Sequence, residues 1–153
     1  MSWNPPITWL GEKITVDKLN AEIRDKFEAL KNPQHAEYAP AYAAGNLIST
    51  SSTSFATMTN FSLSLTTEGG DVLVILNVDV DAAAYFDIEV NGSRLGSTDG
   101  AIGVGANGAI LLTWLLTDLE PQSLSIVGKW KVPSGTANIL ASSRPYFSAR
   151  EVS

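Results

Sequence analysis

A mainly β fold, a jelly-roll-type β-sandwich preceded by one short N-terminal α-helix, follows from three observations on the sequence. After Leu47, extended runs recur at roughly 8 to 15 residues between Gly-, Pro-, Asn- and Ser-rich turns, for about eight strands in all. Several runs alternate apolar and polar residues with the period of two that a half-buried strand requires. Only residues 15–31 carry a helical period, with Val16, Leu19, Ile23, Phe27 and Leu30 spaced 3, 4, 4 and 3 apart.

In chain order, Thr15 is the expected N-cap of that helix, Asp17 puts an anion in its first turn, and Asn32-Pro33 ends it. A helix of this length is marginal alone in water, so its apolar stripe needs a surface to cover it. Residues 33–46, PQHAEYAPAYAAGN, show neither period and read as a linker or extended crossing segment. In FSLSLTT, Phe61, Leu63 and Leu65 share one face, and EGGD then turns the chain. DVLVILNVDV is continuously apolar, as suits a central strand. Asn91-Gly92 between YFDIEV and SRLGS predicts a type I′ hairpin, since both residues tolerate positive φ. AILLTWLLTDL and SLSIVGKWKV flank the turn EPQS and are expected to pair, bringing Trp114 and Trp130 into adjacent strands; NILASS and PYFSAREV close the domain. The division is an N-terminal attachment segment over 1–32, a linker over 33–46 and the sandwich over 47–153.

The 153 residues are 44% hydrophobic, enough for a core, and only 17% charged, low for a monomer's surface. Net charge is −6, and from Ala41 onward the cations are Arg94, Lys129, Lys131, Arg144 and Arg150 against ten carboxylates, a balance that argues against nucleic acid as a partner. With no cysteine, disulfides and thiolate-held metals are excluded. Apolar runs such as Val72–Leu76 are too short to span a bilayer, and MSWNPPITWLG lacks the pattern of a signal peptide, so no membrane insertion is expected and assembly is placed in a cytoplasm.

Four features invite a chemical reading. Gly103–Gly108 formally matches G-x-G-x-x-G, but no βαβ alternation surrounds it and Asp118 and Glu120 lie too close to serve a ribose, so a loop is expected and no cofactor. Asp79 and Asp81 share one strand face and Asp87 and Glu89 the next; on paired strands they would offer Ca²⁺ four carboxylates, yet the spacing is not that of an EF-hand and a solvated acidic face is the expectation. His35, the one histidine, lies in the linker, which places it poorly for the rigid pairing with a serine that catalysis needs, and reads as a surface residue. Trp3 and Trp9 lie outside the β-region, where an aromatic with a polar tip suits an interface anchor. No catalytic or metal residue is assigned and the chain is expected not to be an enzyme.

Trp9, Gly11, Thr15, Leu19-Asn20, Ile23-Arg24-Asp25 and Leu30-Lys31-Asn32-Pro33 resemble the N-terminal pattern of many tailed-bacteriophage virion proteins, of short fibre, spike, minor tail or head decoration type. The β-region is similar to C1q- or tumour-necrosis-factor-like jelly rolls: residues 51–80 look like their first strands, LLTWLLTDLEPQSLSIVGKWKV like their late hairpin and FSAREV like their closing strand. The resemblance implies a homotrimeric structural protein of a phage or phage-like particle, located in the virion. Its partners would be itself and other virion proteins (capsid, portal or tail). Trp3, Trp9, Leu19, Ile23, Phe27 and Leu30 would form the attachment and assembly interface. No coiled coil or stalk separates the two parts, which implies a stubby projection or decoration. The alternative is a carbohydrate- or receptor-binding module taking a host-surface glycan, suggested by the aromatic residues and the Gly/Ser/Asn-rich loops.

Overall fold

The computed structural model describes residues 15–31, 33–39 and 45–152. Helix α1 spans Val16–Lys31, with Asp17 in its first turn. Thr15 caps it as its sequence position requires: the Lys18 N–H donates to Thr15 Oγ1 at 3.2 Å and the Leu19 N–H to the Thr15 carbonyl at 3.1 Å. Among the described residues no helix is long and apolar enough to cross a membrane.

Eleven strands follow among the described residues: β1 (His35–Tyr38), β2 (Asn46–Thr50), β3 (Ala56–Thr67), β4 (Gly70–Val80), β5 (Ala84–Val90), β6 (Ser93–Arg94), β7 (Ile102–Val104), β8 (Gly108–Leu119), β9 (Gln122–Lys131), β10 (Ala137–Leu140) and β11 (Tyr146–Glu151). Ten of them nest pairwise and antiparallel, the first with the last and so inward: β1 with β11, β2 with β10, β3 with β9, β4 with β8, β5 with β7. Pairing of β11 with β4 and of β9 with β5 joins these ribbons into two sheets. Ribbons folded over in this order are a jelly roll. β2 and β10 extend the first sheet to six strands and β6 completes five in the second.

The local signals act as their chemistry dictates. In β3, Phe61, Leu63 and Leu65 point inward and Ser62, Ser64 and Thr66 outward. Asn91 and Gly92 take φ of 49° and 83°, both positive, and turn β5 into β6. The inward rows, Val72, Val74 and Leu76 of β4 and Phe61, Phe86 and Trp130 of the opposite sheet, belong to a single buried cluster. Each such side chain contributes about 1.5–3 kcal/mol by leaving water. Phe61 ties the layers together, lying 4.9 Å from Tyr38 of β1 and 6.3 Å from Phe147 of β11, ring centre to ring centre. Opposite the bulge in β3, Gly128 leaves space that a Cβ would close, since it would stand 2.9 Å from Met58 Sδ and 3.2 Å from Phe61 Cβ.

Three expectations are corrected. β8 and β9 are not a hairpin: β8 lies beside β4 and β9 between β3 and β5, so the turn at 120–121 carries the chain from one sheet to the other and Trp114 and Trp130 are not neighbours on a ladder. Residues 35–38, read as linker or extended crossing segment, are extended and form an edge strand, a correction only to the linker alternative, because their backbone completes the edge of β11 and Tyr38 reaches the core cluster. Asp79 and Asp87 stand in different sheets, since the chain crosses between layers at 81–83; their carboxylates do not share a face.

Candidate functional site

Two apolar surfaces stand out. The first is α1, where Val16 is 73% exposed, Leu19 45% and Ile23 47%. These are the first three members of the stripe read from the sequence, on one helix face. Trp3 and Trp9, and the side chains of Phe27 and Leu30, lie outside the described residues.

The second is the outer face of the six-stranded sheet. β8 turns Ile110 and Leu112 inward, which by the period of two leaves Leu111 and Leu115 outward, 60% and 48% exposed. Leu115 sits opposite Leu73 and Thr113 opposite Ile75 on β4. The patch is therefore two leucines of β8 and two aliphatic residues of β4 around a threonine. Beyond it lie Asn77, Tyr146 and Ser148, and then the polar margin of Arg150, His35 and Glu37. Among the described residues β8 pairs only with β4, and from Gly108 to Thr117 it contains no charge and no proline, the usual protection of an exposed edge. Sequence reading placed Leu111 and Leu115 in a strand but missed this surface, since a run apolar on both faces does not say which face a second sheet covers.

The outer face of the five-stranded sheet is polar and internally satisfied. Asp87 is fully buried there because residues 95–101 fold over it. Its Oδ2 accepts from Arg94 Nη1 at 2.8 Å, and its Oδ1 accepts the N–H groups of Ile88 and Gly96, each at 2.8 Å. The Arg94 guanidinium also lies 4.1 Å from the centre of the Phe55 ring, and Lys131 Nζ lies 4.9 Å from it. Glu89 pairs with Lys129 at 3.1 Å. Asp81 sits apart from all of these, accepting from Asn138 Nδ2 at 2.7 Å and from the Asn138 N–H at 2.8 Å; these bonds, the side-chain one above all, hold its carboxyl below the usual aspartate range. Asp81, Asp87 and Glu89 are thus divided among separate partners, and among the described residues no three His, Asp or Glu side chains converge as a metal site.

Gly103–Gly108 runs from the middle of β7 through a loop into β8, so a strand and not a helix follows it. His35 Nε2 lies 3.5 Å from Glu37 Oε2 at the exposed edge of β1. Every aromatic side chain among the described residues is buried or half-buried: Trp130 and Phe86 pack together at 6.2 Å, and Tyr85 lies under Lys131 at 5.3 Å.

No protein-family model matches the chain, and no curated protein sequence does. Solved structures with a similar chain course include murine APRIL, with a TM-score of 0.49 and 9% identity over 78% of this chain and 99% of that one. The CBM36-1 domain of a multidomain xylanase from the hindgut metagenome of Trinervitermes trinervoides gives 0.41 and 13%, over 80% of this chain and 99% of that one. A chain of the Gx strain of infectious bursal disease virus gives 0.41 and 11%, over 77% of this chain and 35% of its own length. At such identities the likeness concerns the fold alone.

Proposed function

We propose that this chain is a non-enzymatic structural component of a phage or phage-like particle, a homotrimeric spike, short fibre or decoration protein that docks through its N-terminal arm and projects the jelly roll. The observation that carries the reading is the pair of exposed apolar surfaces on one chain of low charge, the Val16–Leu19–Ile23 stripe of α1 and the Leu73–Ile75–Leu111–Leu115 patch of the sheet. Monomeric proteins seldom leave such rows in water, and two of them suit two contacts, one with the particle and one with further copies. The virion setting is supported by the resemblance of residues 8–33 to phage virion N-termini.

The test begins with light scattering on the purified full-length chain. The expected mass is three times the 16.3 kDa of one chain, falling to one in Leu111→Glu/Leu115→Lys with the β circular-dichroism spectrum unchanged. Leu19→Glu/Ile23→Lys should leave the trimer intact and abolish incorporation into particles, read by electron microscopy of labelled protein. A wild-type monomer at tens of micromolar whose α1 amides are nonetheless protected from exchange would overturn the proposal.

A further inference from the structure

The carboxylate of Glu151, the last residue of β11, is almost wholly buried, yet no cation is needed to explain it. Its Oε1 accepts from Thr67 Oγ1 at 2.6 Å and from the Glu68 N–H at 2.9 Å, in the turn that leaves the five-stranded sheet. Its Oε2 accepts the Gln34 N–H at 3.0 Å, while the Glu151 N–H donates back to the Gln34 carbonyl at 2.9 Å. Thr67 is held in place in turn, its Oγ1 accepting the Gly69 N–H at 2.9 Å. One carboxylate therefore joins the end of β11, the β3–β4 turn and the residue that precedes β1.

Gln34 lies three residues after the end of α1. It is the point at which the N-terminal arm enters the sandwich. β1 beyond it has only four register pairs, all to β11. We infer that Glu151 is an acid-released clasp that fixes the arm where it enters the jelly roll; the inference rests on the reading of that arm as an attachment element. An ionised carboxylate accepts all three bonds and competes with none of the donors. Once protonated it brings an O–H among donors and its charge-assisted bonds become neutral ones, about half as strong. The Gln34 end opens first, because β1 is a short edge strand while Thr67 is built into the core. Burial alone would raise the Glu151 pKa, but the bonds from Thr67, Gln34 and Glu68 outweigh it and hold the carboxyl below the usual glutamate range, so the clasp is closed at neutral pH and opens only in acid. The charged groups of the neighbouring residues are Glu68 in the turn, Asp71 in β4, Asp118 at the end of β8, whose N–H donates to Asp71 Oδ1 at 3.1 Å, and, on the outer margin, His35 of β1 and Arg150 of β11, which are register partners.

The experiment is amide hydrogen exchange of residues 34–38 in the full chain, corrected for intrinsic rates, with residues 72–80 of β4 as internal reference. Protection of 34–38 should fall at least about tenfold, the worth of one hydrogen bond to a charged group, as pH drops below the ordinary glutamate range, while β4 stays protected. Glu151→Gln, which turns an N–H₂ toward these donors, should show the same loss already at pH 7. Thr67→Val, keeping the shape and removing one donor, should move the acid transition up by about one pH unit. Loss of protection in β1 only together with β4, or wild-type protection in Glu151→Gln, would overturn the inference. Should Glu151→Gln fail to fold, the Thr67→Val midpoint decides. Particle binding does not enter these readouts, so failure of the attachment reading and failure of the clasp are seen separately.

Discussion

Asp87 and Arg94 make the most exacting test of how the five-stranded sheet is held. The Asp87 side chain is 0% exposed and that of Arg94 30%, with 2.8 Å between Oδ2 and Nη1. Asp87→Asn keeps Oδ1 as acceptor for the Ile88 and Gly96 N–H groups, but sets a neutral N–H₂ against the guanidinium. Breaking a buried ion pair from one side costs about 3–5 kcal/mol. Here Arg94 is part-exposed, also donates to the Ser97 carbonyl at 3.2 Å and rests on Phe55, so a cost at or below the bottom of that range, about 2–3 kcal/mol, is expected. For a chain of this size that is a fall in Tm of roughly 5–10 °C. Arg94→Met leaves a carboxylate buried with two N–H bonds and should cost about 3–5 kcal/mol. Because each single variant strands the other partner, the double variant should cost less than the sum, with a coupling of about 2 kcal/mol. Urea unfolding followed by tryptophan fluorescence, at one fixed protein concentration so that association contributes equally, measures all four corners. A coupling below about 0.5 kcal/mol, the level of independent sites, would refute the claim that this pair pins residues 95–101.

Gly100 has φ of +90°, and a Cβ there would lie 2.7 Å from the Phe86 carbonyl oxygen and 2.9 Å from the Phe55 ring; Gly100→Ala should cost about 1–3 kcal/mol or more, while Gly105→Ala, with nothing within 4 Å, stays near neutral in the same thermal melt. Trp130→Ala removes the largest fully buried side chain and should cost about 3–5 kcal/mol by urea unfolding. Glu151 and Asp81 both have lowered folded-state pKa values, so their stabilisation is present above their unfolded values of about 4.3 and 3.9 and disappears as pH falls through the lower folded ones. Thermal melts from pH 6 down to pH 3 should show that decline for the wild type and a shallower one for Glu151→Gln/Asp81→Asn.

Much of the fold was legible because it rests on local chemistry. Thr15 and Pro33 bound a helix by capping and by a missing N–H, Asn91-Gly92 turns because both residues accept positive φ, and Phe61, Leu63 and Leu65 face inward because side chains alternate along a strand. The candidate surfaces were legible in part. Leu19 and Ile23 emerge as exposed members of the expected stripe, whereas Leu111 and Leu115 did not announce themselves, since AILLTWLLTDL is apolar at successive positions and carries no local mark of its outer face.

The helix, the β-character of the rest, several of the turns and the absence of thiol chemistry follow from the order of the residues alone, since they depend on residue types and on neighbours a few positions apart. Which strands lie together is a matter of the folded chain: β8 and β9 part into different sheets, residues 35–38 close an edge, Asp87 is buried beneath residues 95–101, and Glu151 meets Gln34 and Thr67 from 117 and 84 positions away. The reason is that β-pairing and burial are contacts between distant segments. A strand's own pattern says that it has an inner face, and only the other strands determine where that face is and what remains uncovered on the other side.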